Sequence, residues 1–493
     1  MKPKKSGPSR TVRNRTLAAG LTLAMTAGIA GCGTSSAPAA SSSSSPITIT
    51  LLGFAGWAPS AIAAQMAQTE FPAYAKKHWG INVKVAYATS PFADLYSKPA
   101  ASLAAHSSEY TLIWGKGMWY GSFTGPKWIA SLNGLVANSP QLKAAQADFI
   151  SPFIQKSYES YPYGSSHLYG IPSEGDALIM YVRKDLLDNP ANQAAFQKAY
   201  GFALPTTFTQ WQNLSWSKFT DILQFFNDPA KGFYGLATEY SDSYDFMFNQ
   251  AMTMVRDYGG HIWNRSTRQV YGVLNSPQAD AGLKAYVGLL KYQPPGSDTW
   301  GISHDIQAFT GGHVFAAWQW AAVGPAMFTP AMQGKVMAVP LPGKTVNGQF
   351  LQYSAVGGQA WNVNNFLGPR HKAAAFDFIK WWYLPSTQMQ YAMKGGNSVL
   401  KSVVDNPTVQ AHNPWYRAYS YTMTDQHLVD EYHNADYATL MSEIQKAWTA
   451  YATGQINSAS LANTYAACRQ QATLFNTGLT NTAPPTSCAN VHL

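Results

Sequence analysis

Ile47-Thr48-Ile49-Thr50-Leu51-Leu52-Gly53-Phe54-Ala55-Gly56-Trp57-Ala58-Pro59-Ser60 is the stretch that decides the fold. Its first six residues are β-branched or leucine, the composition of a buried strand, and Gly53 to Pro59 reads as the loop that follows. Ser60 then reads as an N-cap, with Ile62 and Met66 four apart on one face of a helix running toward His78. Ile81 to Tyr87 is a second strand. A strand, a helix and a strand in that order imply a parallel pair, since parallel strands need a crossover connection.

The pattern recurs downstream. Tyr110-Thr111-Leu112-Ile113-Trp114 is a strand that runs into the aromatic, glycine-rich loop Gly115-Lys116-Gly117-Met118-Trp119-Tyr120-Gly121. Ser217 reads as the cap of a helix whose Phe219, Ile222, Leu223 and Phe226 make one apolar face. Ser276-Pro277, a cap followed by proline in the first turn, opens another that carries Leu283, Tyr286, Val287 and Leu290. The fold class is α/β, and 493 residues suggest two such units.

The net charge of +9 does not make this a nucleic-acid binder. Lys2, Lys4, Lys5, Arg10, Arg13 and Arg15 stand in the first fifteen residues; subtracting these six from 34 leaves 28 basic against 25 acidic residues. Phosphate neutralisation needs clustered Lys and Arg on a folded surface, and the body offers no such run. Aromatic residues, 14% of the chain, are the stronger signal. With only 25 acidic residues, little charge repulsion follows carboxylate protonation, which suggests an acidic habitat; collapse of the fold near pH 4 would count against it.

After the basic start, Leu17–Gly31 is apolar and small, shorter than the ~20 residues of a membrane span, and reads as an export signal over residues 1–31. Its end, Ile29-Ala30-Gly31-Cys32, resembles the bacterial lipobox, which implies acylation (palmitate) of Cys32; a secreted form with unmodified Cys32 is the alternative. Residues 32–46, rich in serine, read as a flexible tether. The body is therefore expected to be lipid-anchored at the outer face of a bacterial membrane. Cys468 and Cys488 remain as an even pair that can bridge the last helix to the proline-rich tail in an oxidising compartment, or stay as free thiols.

Gly53-Phe54-Ala55-Gly56-Trp57, Tyr110–Trp114 with Trp128-Ile129-Ala130-Ser131-Leu132, Tyr169-Gly170-Ile171-Pro172 with Leu178–Leu187, Tyr258-Gly259-Gly260, Phe309–Trp318, Ala338-Val339-Pro340-Leu341-Pro342 and Gly357-Gly358 follow one another in an order that resembles a known family. It is extracellular solute-binding protein family 1, the sugar-binding lipoproteins of bacterial ABC importers, which includes maltose-binding protein. The resemblance covers roughly residues 47 to 475. It implies a two-lobed periplasmic-binding-protein-like fold of class II, whose discontinuous lobes are joined by a multi-segment hinge. The lobes are expected at 47–165 with 340–384 and at 166–339 with 385–475, with 476–493 as a tail. The hinge is expected near Tyr161–Gly170, Ala338–Gly343 and Tyr383–Ser386. It also implies ABC permease subunits as partners, a monomer, no enzyme activity and no cofactor.

A sugar offers apolar C–H faces and a rim of hydroxyls, so its site needs flat aromatic platforms with amides and carboxylates beside them. The resemblance places a ligand-contacting tryptophan at Trp114, while Gly117 and Met118 stand where the family's reference protein has a charged pair. Trp57 and Trp119 lie in loops after strands; Trp318 and Trp320 alternate around Gln319, so one strand face carries both rings. Glu174 and Asp176 are the candidate carboxylates for clamping hydroxyls, or else cap a turn at Gly175. Tyr244 and Asp245, after the Gly235–Thr238 strand, and Gly358, whose backbone can approach a ligand, complete the set. For each aromatic, a place in the core is the alternative.

No phosphate-binding Gly-Lys-Ser/Thr loop, His-Glu-x-x-His helix, Gly-x-Ser-x-Gly elbow or Cys-x-x-Cys pair occurs, so nucleotide hydrolysis, metalloprotease, esterase and metal readings have no support. A secreted glycoside hydrolase is the rival from another class, since Glu174 and Asp176 are too close in sequence to be told from a binding pair. A non-sugar solute on the same fold is the third reading. The expected cargo is a neutral carbohydrate, a sugar, oligosaccharide or polyol.

Overall fold

The first strand falls where its composition puts it: β1 spans Ile47–Phe54 and pairs in parallel with β2, Val83–Ser90, in register from Ile47 opposite Val83 to Phe54 opposite Ser90. The structure is a computed structural model that describes residues 45–429 and 432–491. The expected signal peptide, Cys32 and most of the expected tether lie outside the described residues. Ser45–Leu493 clusters as one unit by its internal contacts. No helix among the described residues is long and apolar enough to cross a membrane.

The crossover between β1 and β2 differs from the expected single helix. It is two helices, Ala58–Thr69 and Phe71–Trp79. Pro59 is compatible with the first turn, which moves the N-cap back to Trp57, and Pro72 lacks the N–H that would continue the first helix through Glu70. Ser60 is therefore no cap: its hydroxyl accepts from Phe54 N at 3.0 Å and meets Tyr87 Oη at 2.6 Å, tying the first turn to both strands.

The remaining strands are β3 (Leu112–Gly115), β4 (Ile171–Arg183), β5 (Tyr234–Ala237), β6 (Val314–Trp320), β7 (Val336–Val339), β8 (Lys344–Val346), β9 (Gln349–Leu351), β10 (Ser354–Val363) and β11 (Leu428–Val429). They assemble in the order β2-β1-β3-β10-β4-β6-β5, with β7 on β4 and β11 on β10; β8 and β9 form a separate hairpin. One half of this sheet, β2-β1-β3, is parallel, as is β6-β5 at the other end. The long antiparallel strands β10 and β4 run between them, so the crossing lies within β4: Ile171 and Pro172 pair with β10 at the β3 side, while Leu178 to Val182 pair with β6.

Each half-sheet is covered by helices whose apolar faces the sequence shows. In the helix Trp216–Phe226, Phe219, Ile222, Leu223 and Phe226 are buried, each side chain contributing about 1.5–3 kcal/mol. Its cap is Ser215, two residues before the expected Ser217, with its hydroxyl accepting from Lys218 N. Ser276 caps Pro277–Val287 as expected, accepting from Ala279 N. Cys468, on the helix Ala459–Asn476, is bridged to Cys488, closing a loop that restricts the unfolded chain by about 3 kcal/mol.

Candidate ligand-binding site

The carboxyl ends of both half-sheets converge on one small cavity. From the first come Phe54 at the end of β1, Trp57 in the loop beyond it, Phe92 after β2 and Lys116 after β3; from the second come Tyr244 and Asp245 after β5 and Trp320 at the end of β6. The crossing strands supply the floor, Asp176 of β4 and Gly357, Gly358 and Gln359 of β10. Ligands of open α/β sheets sit beyond strand carboxyl ends, and here two such ends face each other.

The floor is shaped by glycine and a bulge. Register slips between Gln359 and Ala360, leaving Ser173 of β4 without a partner of its own in the ladder. Gly358 has a positive φ of 99°, and a Cβ there would collide with the Glu174 carbonyl; a Cβ on Gly357 would collide with the Trp320 ring. The pair thus lets the indole lie on the strand.

Glu174 and Asp176 stand two apart on β4, fully buried, and neither caps a turn. Trp57 Nε1 donates to Glu174 Oε1 at 3.1 Å and Oε2 at 3.2 Å, one N–H shared between both oxygens. Asp176 Oδ1 accepts from the Ala177 and Ala322 backbone N–H groups at 2.9 and 3.0 Å. Burial holds both carboxyls well above their usual range, and the Asp176 charge lifts Glu174 further. Lys116 Nζ lies 2.6 Å from Asp245 Oδ2 and 4.7 Å from the centre of the Tyr244 ring, a buried ion pair that spans the two half-sheets. Phe92 adds an apolar seam across the same gap, 5.7 Å from the Tyr244 ring and 6.0 Å from Trp57. The free space enclosed is about 20 Å³, room for one water.

Trp57, Asp176, Tyr244, Asp245, Trp320 and Gly358 line this cavity, and Glu174 touches it through Trp57. Trp114, Trp119 and Trp318 do not line it. Trp114 is inside β3, opposite Trp361, and stacks on that ring at 5.5 Å beneath the helix Pro369–Trp382. Trp318 is packed by Trp216 at 5.1 Å and Tyr286 at 5.7 Å. Trp119 borders a second cavity of about 250 Å³ on the far side of Tyr244, with Tyr96, Tyr437 and Gln445. The lining residues that the sequence did not single out as ligand contacts are Phe54, Phe92, Lys116, Ile302, Gly357 and Gln359; Phe92, in a loop after a predicted strand, carried the same signal as Trp57.

Behind the cavity, Gln319 Nε2 donates to Glu239 Oε1 at 2.7 Å and Asp305 Oδ2 at 2.9 Å, joining a second buried carboxyl pair. Two larger hollows lie elsewhere, one about 590 Å³ near Arg256 and Arg265 and one about 660 Å³ near Phe328 and Trp415. Neither has a carboxylate among its described lining.

The family model described as bacterial extracellular solute-binding protein matches residues 71–414. Among solved structures, an ABC transporter solute-binding protein from Agrobacterium radiobacter in complex with ribitol superposes with a TM-score of 0.69 at 20% identity, over 86% of this chain and 98% of its own. A maltose-bound MalE protein of T. maritima gives 0.70 at 18% identity, covering 86% and 99%. A solute-binding protein from Agrobacterium vitis with bound D-mannitol gives 0.65 at 16%, covering 87% and 99%.

Proposed function

The chain belongs to the bacterial extracellular solute-binding proteins, and from that premise we propose that it captures a neutral carbohydrate, a sugar, oligosaccharide or polyol, between its half-sheets and delivers it to an ABC importer. The observation that carries this reading is the pairing, in one cavity, of indole faces from Trp57 and Trp320 with the buried carboxyl of Asp176 and, behind Trp57, that of Glu174. Indoles cover the C–H faces of a sugar, and carboxyl oxygens accept from its hydroxyls. The ribitol, maltose and mannitol carried by proteins of the same fold support the cargo class.

Entry of a ring requires the walls to part, because about 20 Å³ holds one water while small-molecule sites commonly run to several hundred Å³. The moving bodies are residues 47–165 with 340–384 and 166–339 with 385–475, hinged near Tyr161–Gly170, Ala338–Gly343 and Tyr383–Ser386. Ligand then closes the cleft by contacts made in the closed form alone, which is how binding shifts a two-state equilibrium. Acylation at Cys32 holds the monomer at the outer face of the cytoplasmic membrane within reach of the permease.

The test is tryptophan fluorescence and thermal unfolding of the chain from Ser41 onward, titrated with mono-, di- and trisaccharides, polyols and sugar phosphates. A cognate sugar at 100 times its Kd adds about 2.7 kcal/mol and leaves the sugar intact. No saturable response to any carbohydrate, or cleavage of the sugar, overturns the reading.

A further inference from the structure

Carboxyl groups outnumber cations at the cavity. Asp176 and Asp245 line it, Glu174 lies behind the Trp57 indole, and Gln359 Oε1, in a side chain only 3% exposed, has no donor among the described residues. The cation in its described lining is Lys116, whose ammonium is seated on Asp245 Oδ2 at 2.6 Å with the Tyr244 ring at 4.7 Å. A carboxylate beside an aromatic face is a seat for an ammonium group.

Lys116 and Asp245 come from opposite half-sheets, so parting the walls draws the lysine off its seat. The vacated acceptors then face whatever enters. A hydroxyl donates one hydrogen and carries no charge, whereas an ammonium donates three and supplies the positive charge that Asp245 loses when Lys116 leaves. We infer that the preferred cargo bears a protonated amine, an amino sugar or aminated polyol whose ammonium replaces that of Lys116 on Asp245 and the Tyr244 ring. This rests on the carbohydrate reading and replaces its neutral cargo with a cationic one; Lys116 becomes an internal competitor that sets affinity.

Calorimetric titration at about pH 6 separates the two readings. The probes are glucose, glucosamine and N-acetylglucosamine, with cellobiose, chitosan disaccharide and diacetylchitobiose as the two-ring set. The free amine binds at least about tenfold tighter than both its hydroxyl and its N-acetyl counterpart, the gain of one charge-assisted contact. Lys116→Met widens that preference by removing the competitor, and Asp245→Asn narrows it to below about twofold, whatever either does to absolute affinity. Equal or weaker binding of the amine, or a preference untouched by Asp245→Asn, overturns the inference and leaves the carbohydrate reading standing. Silence from the whole set, neutral and aminated, overturns both.

Discussion

Trp320, Glu174 and Asp176 at the cavity and Trp318, Glu239 and Asp305 behind it are two sets of the same residue types, all of them buried. Burial and raised carboxyl pKa values do not tell them apart, since burial lifts all four carboxyls well above their usual range. The next layer does. Trp318 has rings packed against it, Trp216 and Tyr286, and its carboxyl neighbours share a bridging amide. Trp320 lies on Gly357, beside free space, and Glu174 rests on one indole N–H. Unmet hydrogen bonds do not separate the pairs either, since Glu239 Oε2 and Asp305 Oδ1 have no partner among the described residues; what marks the first pair is the free space beside Asp176.

The largest expected effect separates the two tryptophans. Trp318→Ala opens a void among packed rings and should cost about 3–5 kcal/mol of unfolding free energy. Trp320→Ala enlarges a cavity that already exists and should cost less than half of that, while weakening sugar binding at least about tenfold. Urea unfolding and calorimetry on both variants check it. Equal stability losses would mean that Trp320 is as much core as Trp318 and would dissolve the distinction.

Glu159 gives the next effect, as a buried carboxyl outside the lining of the cavities described above. It is fully buried, Gln146 Nε2 donates to its oxygens at 2.9 and 2.7 Å, and burial lifts its pKa from 4.5 to about 7. Between those values the unfolded chain has lost the proton that the folded chain keeps, so stability falls as pH rises. Stability present below pH 4.5 should drop by about 3 kcal/mol on reaching pH 7, and Glu159→Gln should flatten that part of the profile. Urea midpoints at several pH values read it directly.

Much of the fold was legible because strands and amphipathic helices announce themselves by local pattern. The Ile47–Leu52 run, the face of Phe219, Ile222, Leu223 and Phe226, and the Ser276-Pro277 cap all stand where pattern put them. Prolines shifted the boundaries: Pro59 and Pro72 divided one expected helix in two. At the cavity, loop position after a strand pointed to Trp57, Tyr244 and Asp245, and place just after the Tyr169–Pro172 motif pointed to Glu174 and Asp176, though not to the single strand that carries both. Trp114 was not separable from a cleft residue, since what buries it is Trp361, nearly 250 positions away and opposite it across β3 and β10. Lys116 escaped for the same reason, its meaning resting on a partner 129 residues downstream.

The smallest effect is the sharpest test of the two carboxyl pairs. Replacing either Glu by Gln removes a buried group that resists ionisation, so Glu174→Gln and Glu239→Gln should each gain stability at pH 7 relative to the change seen well below pH 4.5, where the native carboxyl is protonated in folded and unfolded chains alike. On stability the two variants should therefore look the same. On binding they should part, because Glu174 holds the Trp57 indole at the cavity wall while Glu239 touches Gln319 behind it. Glu174→Gln should weaken carbohydrate binding several-fold and Glu239→Gln should leave it within about twofold, read by the same fluorescence titration. A loss of binding in Glu239→Gln matching that of Glu174→Gln would show that the Gln319-bridged pair belongs to the site after all, and that the wall of the cavity does not end at Trp320.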